Sequence, residues 1–183
     1  MNQNFYDKLN NVIAKDSILI DEPMSRHTTF RVGGPADFFV TPKAKEEVRD
    51  VIRICKEAGM PYYIIGNGSN LLVSDAGYRG VIVQIYKEMN EVKVEGDLVK
   101  AQAGALLSGI AAKALGAELS GFEFASGIPG TIGGACVMNA GAYGGEMKDV
   151  LEFVTVLTGE GKIIELGRNE LELGYRTSVI AKK

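Results

Sequence analysis

Two glycine-rich stretches and one arginine carry most of the chemistry this chain can offer. The first stretch is Gly66-Asn67-Gly68-Ser69-Asn70, directly after the apolar run Tyr62-Tyr63-Ile64-Ile65. The second runs from Ser120 to Gly145, with glycine at 121, 127, 130, 133, 134, 141, 144 and 145 and Glu123 as its single charged residue. Flexible linkers of that glycine content are filled with polar residues, because they have no apolar surface to bury. Here the glycines alternate with Phe122, Phe124, Ile128, Ile132, Cys136, Val137, Met138 and Tyr143, so the stretch reads as buried backbone. Glycine lets main chain approach a large flat ligand with no Cβ in between. Tight structural turns between short strands are the other reading. The arginine is Arg176, in Tyr175-Arg176-Thr177-Ser178. A guanidinium can grip a carboxylate through two parallel hydrogen bonds; taken alone, Arg176 equally suits a surface pair with Glu172.

Successive backbone N–H groups after a strand can form an anion-binding concavity, to which Asn67, Ser69 and Asn70 add uncharged donors. The short loop is not a Rossmann fingerprint, since Leu71 stands at the third glycine position and Leu71-Leu72-Val73 continues as extended chain instead of a helix. Gly161-Lys162 is followed by Ile163, so there is no Walker A loop either. Alone, the short loop is also consistent with a plain turn. Together, the two glycine stretches suit an elongated ligand carrying a diphosphate and a planar ring system, a description that FAD meets.

Other chemistries are excluded. His27 is the only histidine, which removes a Ser–His pair or a multi-histidine metal site within the chain. Cys55 and Cys136 read as small buried hydrophobes in a reducing, cytoplasmic compartment. A net charge of −3 with scattered Lys and Arg argues against nucleic-acid binding. No apolar run approaches the roughly 20 residues that span a bilayer, and the N-terminus lacks a signal-peptide pattern.

The elements that must position these residues follow from periodicity. Phe5, Leu9, Val12 and Ile13 predict a short amphipathic helix. Thr28 to Val40 reads as a hairpin turning at Gly33-Gly34. Thr41-Pro42 should start a helix with Val48, Val51, Ile52 and Cys55 on one stripe, ended by Gly59 and Pro61. Tyr62 to Ile65 reads as a short buried strand and Gly80 to Ile85 as another. Val92 to Val94 and Leu98 to Lys100 pair around Gly96-Asp97, and Leu106 to Leu115 is helical. Phe153 to Leu157 and Lys162 to Leu166 form a further hairpin, and Val179-Ile180-Ala181 begins like a strand. Helices and strands mix without strict βαβ alternation, which favours an α+β fold. A lobe of about residues 20–70 and one of about 71–183 are expected within a single domain, 1–183. The pattern breaking off at Lys182-Lys183 suggests a fragment.

The ordered motifs Thr28-Thr29-Phe30-Arg31-Val32-Gly33-Gly34-Pro35-Ala36-Asp37, Gly66-Asn67-Gly68-Ser69-Asn70, Gly127-Ile128-Pro129-Gly130-Thr131-Ile132-Gly133-Gly134, Asn139-Ala140-Gly141-Ala142-Tyr143-Gly144 and Tyr175-Arg176-Thr177-Ser178 resemble the N-terminal, FAD-binding part of the UDP-N-acetylenolpyruvoylglucosamine reductase (UDP-N-acetylmuramate dehydrogenase) family. The resemblance covers about residues 20 to 178. It implies a two-lobed FAD-binding domain of the vanillyl-alcohol oxidase or PCMH type, with FAD held non-covalently, NADPH as reductant and a UDP-sugar as substrate. It implies a cytoplasmic flavoprotein oxidoreductase of peptidoglycan synthesis, and so of cell-wall biogenesis, cell shape and cell division. Residue by residue, it implies cofactor contacts from Ile65, Gly66, Asn67, Gly68, Ser69, Asn70 and Leu71 at the pyrophosphate. It implies others from Ala125, Ser126, Gly127, Ile128, Pro129, Gly130, Thr131, Gly133, Gly134, Asn139, Gly141, Ala142, Tyr143 and Gly144 along the flavin and ribityl chain. Arg176 would be catalytic, facing the substrate carboxylate, with Tyr175 shaping the same pocket. The family's proton-donating serine and assisting glutamate belong to a substrate domain that this chain does not reach. The expectation is therefore FAD binding with little or no turnover, the alternative being a cofactor-binding module alone.

Overall fold

The computed structural model describes residues 3–182; residues 1, 2 and 183 of the expected domain lie outside them. Two compact units divide the chain, one up to Met89 and one from Asn90. In the first, α1 (Gln3–Asn10) and α2 (Lys45–Glu57) accompany a four-stranded sheet of β1 (Ile18–Pro23), β2 (Pro35–Val40), β3 (Tyr62–Ile65) and β4 (Tyr78–Gln84), in the order β1-β2-β4-β3. β1 runs antiparallel to β2, while β4 is parallel to both β2 and β3. The helices lay Phe5, Leu9, Val51, Ile54 and Cys55 on Phe38, Val40, Val81 and Val83. On a second cluster, Met24, Ala36, Phe39, Ile65 and Ile82 gather Leu71 and Val73. The alternation of Val81, Ile82 and Val83 between these clusters is the period of two expected of a pleated strand.

Four expectations fail here. The Thr28–Val40 hairpin does not form: β2 takes β1 as its antiparallel partner, with Ile18 opposite Val40 and Glu22 opposite Ala36. Thr41-Pro42 is not the cap, because α2 starts at Lys45 after Ala44, and the Glu47 carboxylate instead accepts the Lys43 N–H at 2.7 Å. β3 is an edge strand, so Tyr63 and Ile64 are exposed while Ile65 alone is buried. The boundary also moves. Neighbouring parallel strands need a crossover of a dozen or more residues, and Gly66 to Gly77 supplies it; β4 therefore belongs with β2 and β3, and residues 71–89 stay in the first unit.

The second unit contains the hairpin β5 (Val92–Glu95) and β6 (Leu98–Ala101), α3 (Leu107–Gly116), α4 (Ile132–Val137), and the two-residue strands β7 (Gly141–Ala142) and β8 (Gly145–Glu146). It ends with α5 (Met147–Val150), the hairpin β9 (Phe153–Leu157) and β10 (Ile163–Gly167), and α6 (Val179–Lys182). The β5–β6 turn is Gly96-Asp97, with Gly96 at φ 64° as such a two-residue turn demands. Val179-Ile180-Ala181 is helical, contrary to the strand reading, because buried Ser178 starts a turn: its Oγ donates to the Val137 carbonyl at 2.6 Å and accepts the Ala181 N–H at 3.3 Å. The core is Leu107, Ala125, Ala135, Ala140 and Met147, roofed by Phe122, Phe124, Ile128 and Ile132.

Candidate functional site

In the first unit, Gly66 to Asn70 leaves the end of β3 with its carbonyls and its N–H groups treated oppositely. Gln84 Nε2 donates to Gly66 O at 3.2 Å, the Thr29 N–H to Gly68 O at 3.2 Å, and Thr29 Oγ1 to Ser69 O at 3.4 Å. Among the described residues, nothing accepts a hydrogen bond from the N–H of Asn67, Gly68, Ser69 or Asn70. Backbone donors inside folded protein are nearly always paired. Here Gly68 is buried, Asn67 and Ser69 are half-buried and Asn70 is exposed, and the four successive donors have no acceptor among the described residues. Carbonyls tied back and amides left free are what a backbone anion nest requires, so the loop fits a pyrophosphate. Gly68 holds φ 69°, and a Cβ there would overlap the His27 carbonyl oxygen. Ile65 and Leu71 bracket the loop within the apolar cluster.

In the second unit the long glycine stretch is half surface, not uniformly buried as its composition suggested. Ala125, Thr131, Ala135, Cys136, Asn139 and Ala140 are buried, whereas Ser126, Gly127, Pro129, Gly134, Val137, Tyr143 and Gly144 are exposed; Tyr143 reaches 96 %. Protein packing explains part of the glycine content. A Cβ on Gly133 would stand 2.9 Å from the Ala103 Cβ, and one on Gly145 2.7 Å from the Phe124 ring. Gly127 differs, because a Cβ there would meet nothing within 4 Å. That open surface fits a cofactor ring edge, and no contact inside the protein requires glycine at the position.

The structure gathers Asn139, Gly141, Ala142, Tyr143, Gly144, Tyr175 and Arg176 around one cavity of about 390 Å³. Residues 125–134 do not line it. Three lining residues without the freedom of glycine hold the left-handed conformation: Asn139 at φ 46°, Tyr143 at 52° and Arg176 at 53°. Backbone strain of this kind persists only where the surroundings over-determine it, and it clusters at functional sites. The restraint here is Asn139, 2 % exposed. Its amide donates to Glu146 Oε2 and to Gly174 O, both at 3.0 Å, while its oxygen accepts the Lys148 N–H at 2.9 Å. Gly174 and Thr177 exchange backbone bonds across the turn that carries Tyr175 and Arg176. Asn139, expected at the cofactor, therefore spends its side chain on building the cavity wall.

Glu146 and Lys148 line the cavity and escaped the sequence reading; Glu146 also closes a capping box with Asp149 at the start of α5, without the Ser or Thr that would announce one in sequence. Lys148 Nζ lies 2.6 Å from Glu146 Oε2. The Lys148 ammonium, the Asn139 amide and, more remotely, the Arg176 charge hold the Glu146 carboxyl below the ordinary carboxylate range. Glu172 pairs with Lys182 at 3.1 Å and not with Arg176. Among the described residues, Arg176 makes no ion pair within 4.0 Å, so an exposed, unpaired cation lies among the residues that line the cavity. Cys136 and Cys55 are free thiols pushed up to about 12 by burial, as inert structural cysteines should be.

The chain is 50 % identical over 181 residues to a UDP-N-acetylenolpyruvoylglucosamine reductase of Clostridioides difficile, covering 99 % of this chain and 60 % of that one. It is 51 % identical to one from Alkaliphilus oremlandii, over 97 % of this chain and 59 % of that one. The chain thus spans about three-fifths of the length of these relatives. The crystal structure of UDP-N-acetylenolpyruvylglucosamine reductase from Thermus caldophilus superposes with a TM-score of 0.72 at 37 % identity, over 88 % of this chain and 55 % of that one. p-Cresol methylhydroxylase superposes at 0.68 with 18 % identity, over 97 % and 39 %, so the fold is the expected α+β of the vanillyl-alcohol oxidase and PCMH type. No helix among the described residues is long and apolar enough to cross a membrane. The FAD binding domain model matches residues 36–167, and with that match the chain belongs to the FAD binding domain family.

Proposed function

We propose that this chain is the FAD-binding portion of a cytoplasmic, NADPH-dependent oxidoreductase that converts UDP-N-acetylglucosamine-enolpyruvate to UDP-N-acetylmuramate for peptidoglycan synthesis. The observation that carries the reading is the run of four unpartnered N–H groups from Asn67 to Asn70. FAD, when bound, would supply hydride transfer from NADPH to the vinyl group of the enolpyruvyl sugar. The protein's part is to bind and orient. The amides of Asn67 to Asn70 would hold the pyrophosphate without a cation, while the exposed main chain at Ser126 and Gly127 and the wall from Gly141 to Gly144 would flank the flavin. Arg176 would hold the substrate carboxylate, where hydride addition builds enolate charge; removing such a preorganised donor typically costs about 3–4 kcal/mol of barrier. Tyr175, 87 % exposed, would close the same wall.

A second reading is a cofactor-binding module without turnover. The serine that protonates the product carbon would lie in the remainder. Absorbance of the purified chain in the near-UV and blue, followed through FAD addition, NADPH addition and then enolpyruvyl sugar, tests both readings. Yellow protein that bleaches with NADPH and recovers only with the sugar supports the reductase; bleaching without recovery supports the module. A chain that stays colourless after mixing with FAD refutes both. Acid precipitation should leave the colour in the supernatant, because the chain's His27 and Cys136 offer no exposed tether.

A further inference from the structure

The Thr28–Asp37 motif has no role in the function proposed above, yet its first residues lie against the phosphate loop. Thr29 donates its backbone N–H to Gly68 O at 3.2 Å and its hydroxyl to Ser69 O at 3.4 Å. The His27 carbonyl oxygen fills the space a Gly68 side chain would need. Farther along, a Cβ on Gly33 would stand 2.8 Å from the Val73 Cβ, and the Gly34 N–H donates to Ser74 O at 2.9 Å. Segment 27–35 thus runs beside 68–77, main chain against main chain, which is why glycines stand on both sides.

This seam is itself anchored. The His27 ring stacks on Phe39 with centroids 3.9 Å apart and lies 2.9 Å from Glu22 Oε1. Thr28 is buried, and its Oγ1 donates to Val32 O at 3.0 Å, closing the turn from which Thr29 projects. The contacts that reach the loop itself, from Thr29 and the His27 carbonyl, engage its carbonyls or the Gly68 Cα side and leave its N–H groups alone.

We infer that segment 27–35 is a clamp that preorganises the Gly66–Asn70 nest, with Thr29 as its positioning residue. By turning Gly68 O and Ser69 O away from the ligand, Thr29 keeps the four neighbouring amides facing one way, so a diphosphate meets donors already ordered. This rests on the FAD reading for the identity of the anion, but not for the ordering of the loop.

The test pairs Thr29→Val, which keeps the shape and backbone N–H but deletes the hydroxyl, with Thr29→Ser, which retains it. Each variant is titrated with FAD and with FMN, which has no pyrophosphate. Backbone ¹⁵N relaxation of Asn67 to Asn70 is measured without ligand. One exposed neutral hydrogen bond corresponds to about a 2- to 5-fold change in affinity. Thr29→Val should weaken FAD by that factor, leave FMN unchanged and lower the order parameters of Asn67 to Asn70; Thr29→Ser should restore all three. Unchanged FAD affinity with unchanged relaxation, or equal loss of FAD and FMN, overturns the clamp. If the parent chain itself binds no FAD, the proposed function falls, and the relaxation data alone then decide the clamp.

Discussion

A methyl group added at Gly127 separates the two reasons a glycine can be there. No heavy atom lies within 4 Å of the Cβ position, and the backbone is outside the left-handed region. Alanine should therefore cost the ligand-free chain nothing; by restricting the unfolded chain it should add about 0.4–1 kcal/mol, or at most about 4 °C in Tm for a protein this size. If a flavin edge packs on this backbone, the same methyl overpacks the complex by about 1–3 kcal/mol, a 5- to 150-fold loss of FAD affinity. Gly68→Ala is the contrasting perturbation. There φ is 69° and the new Cβ overlaps His27 O; left-handed backbone costs about 1–2 kcal/mol and overpacking about 1–3 more, so the ligand-free protein should lose about 2–5 kcal/mol. Thermal unfolding without ligand, beside FAD titration by flavin fluorescence, reads both variants. Gly127→Ala binding FAD as tightly as the parent would refute the placement of this backbone at the cofactor. Loss of ligand-free stability in Gly127→Ala would refute the packing argument itself.

Three other outcomes follow from the cavity and the core. Asn139→Asp keeps shape and tolerance of positive φ but turns two donors toward Glu146 and Gly174 O into acceptors; Tm should fall at pH 7 and recover partly on acidification, and an unchanged Tm would remove Asn139 from the wall. Glu146 has a lowered folded-state pKa, so its contribution is present above the unfolded value and is lost as pH falls through the folded one. Lys148 is raised mainly by its bond to Glu146, so its contribution is lost only as pH rises through its folded value. The Tm difference between parent and Glu146→Gln should hold across neutral pH and vanish toward strong acid; a constant difference would contradict the pairing. Cys55 and Cys136, buried and pushed up to about 12, should resist a thiol-directed reagent at pH 8 until denaturant is added. Rapid native labelling would show that one of them is accessible.

Local pattern and tertiary partnership divide this molecule unevenly. The β5–β6 and β9–β10 hairpins, α1 and α3 were legible because short-range periodicity and the turn residues between strands specify them. The loop after β3 was legible as glycine-rich main chain leaving a strand, but the bonds that tie its carbonyls back come from Thr29 and Gln84, distant in sequence. What the chain alone could not reveal was non-local: β2 pairs with β1 instead of folding back through Gly33-Gly34, because those glycines are needed for close packing on Val73 and on the Asp75 backbone. Val179 to Lys182 turned helical once Ser178 bonded Val137, 41 residues away in sequence. At the site, composition identified which stretches lack side chains, but only packing showed why. Gly133 and Gly145 make room for protein, whereas no protein atom near Gly127 requires glycine there. Asn139 ties Glu146 and Lys148 to Gly174, 35 positions away, and a hydrogen-bond network of that kind has no sequence period to betray it.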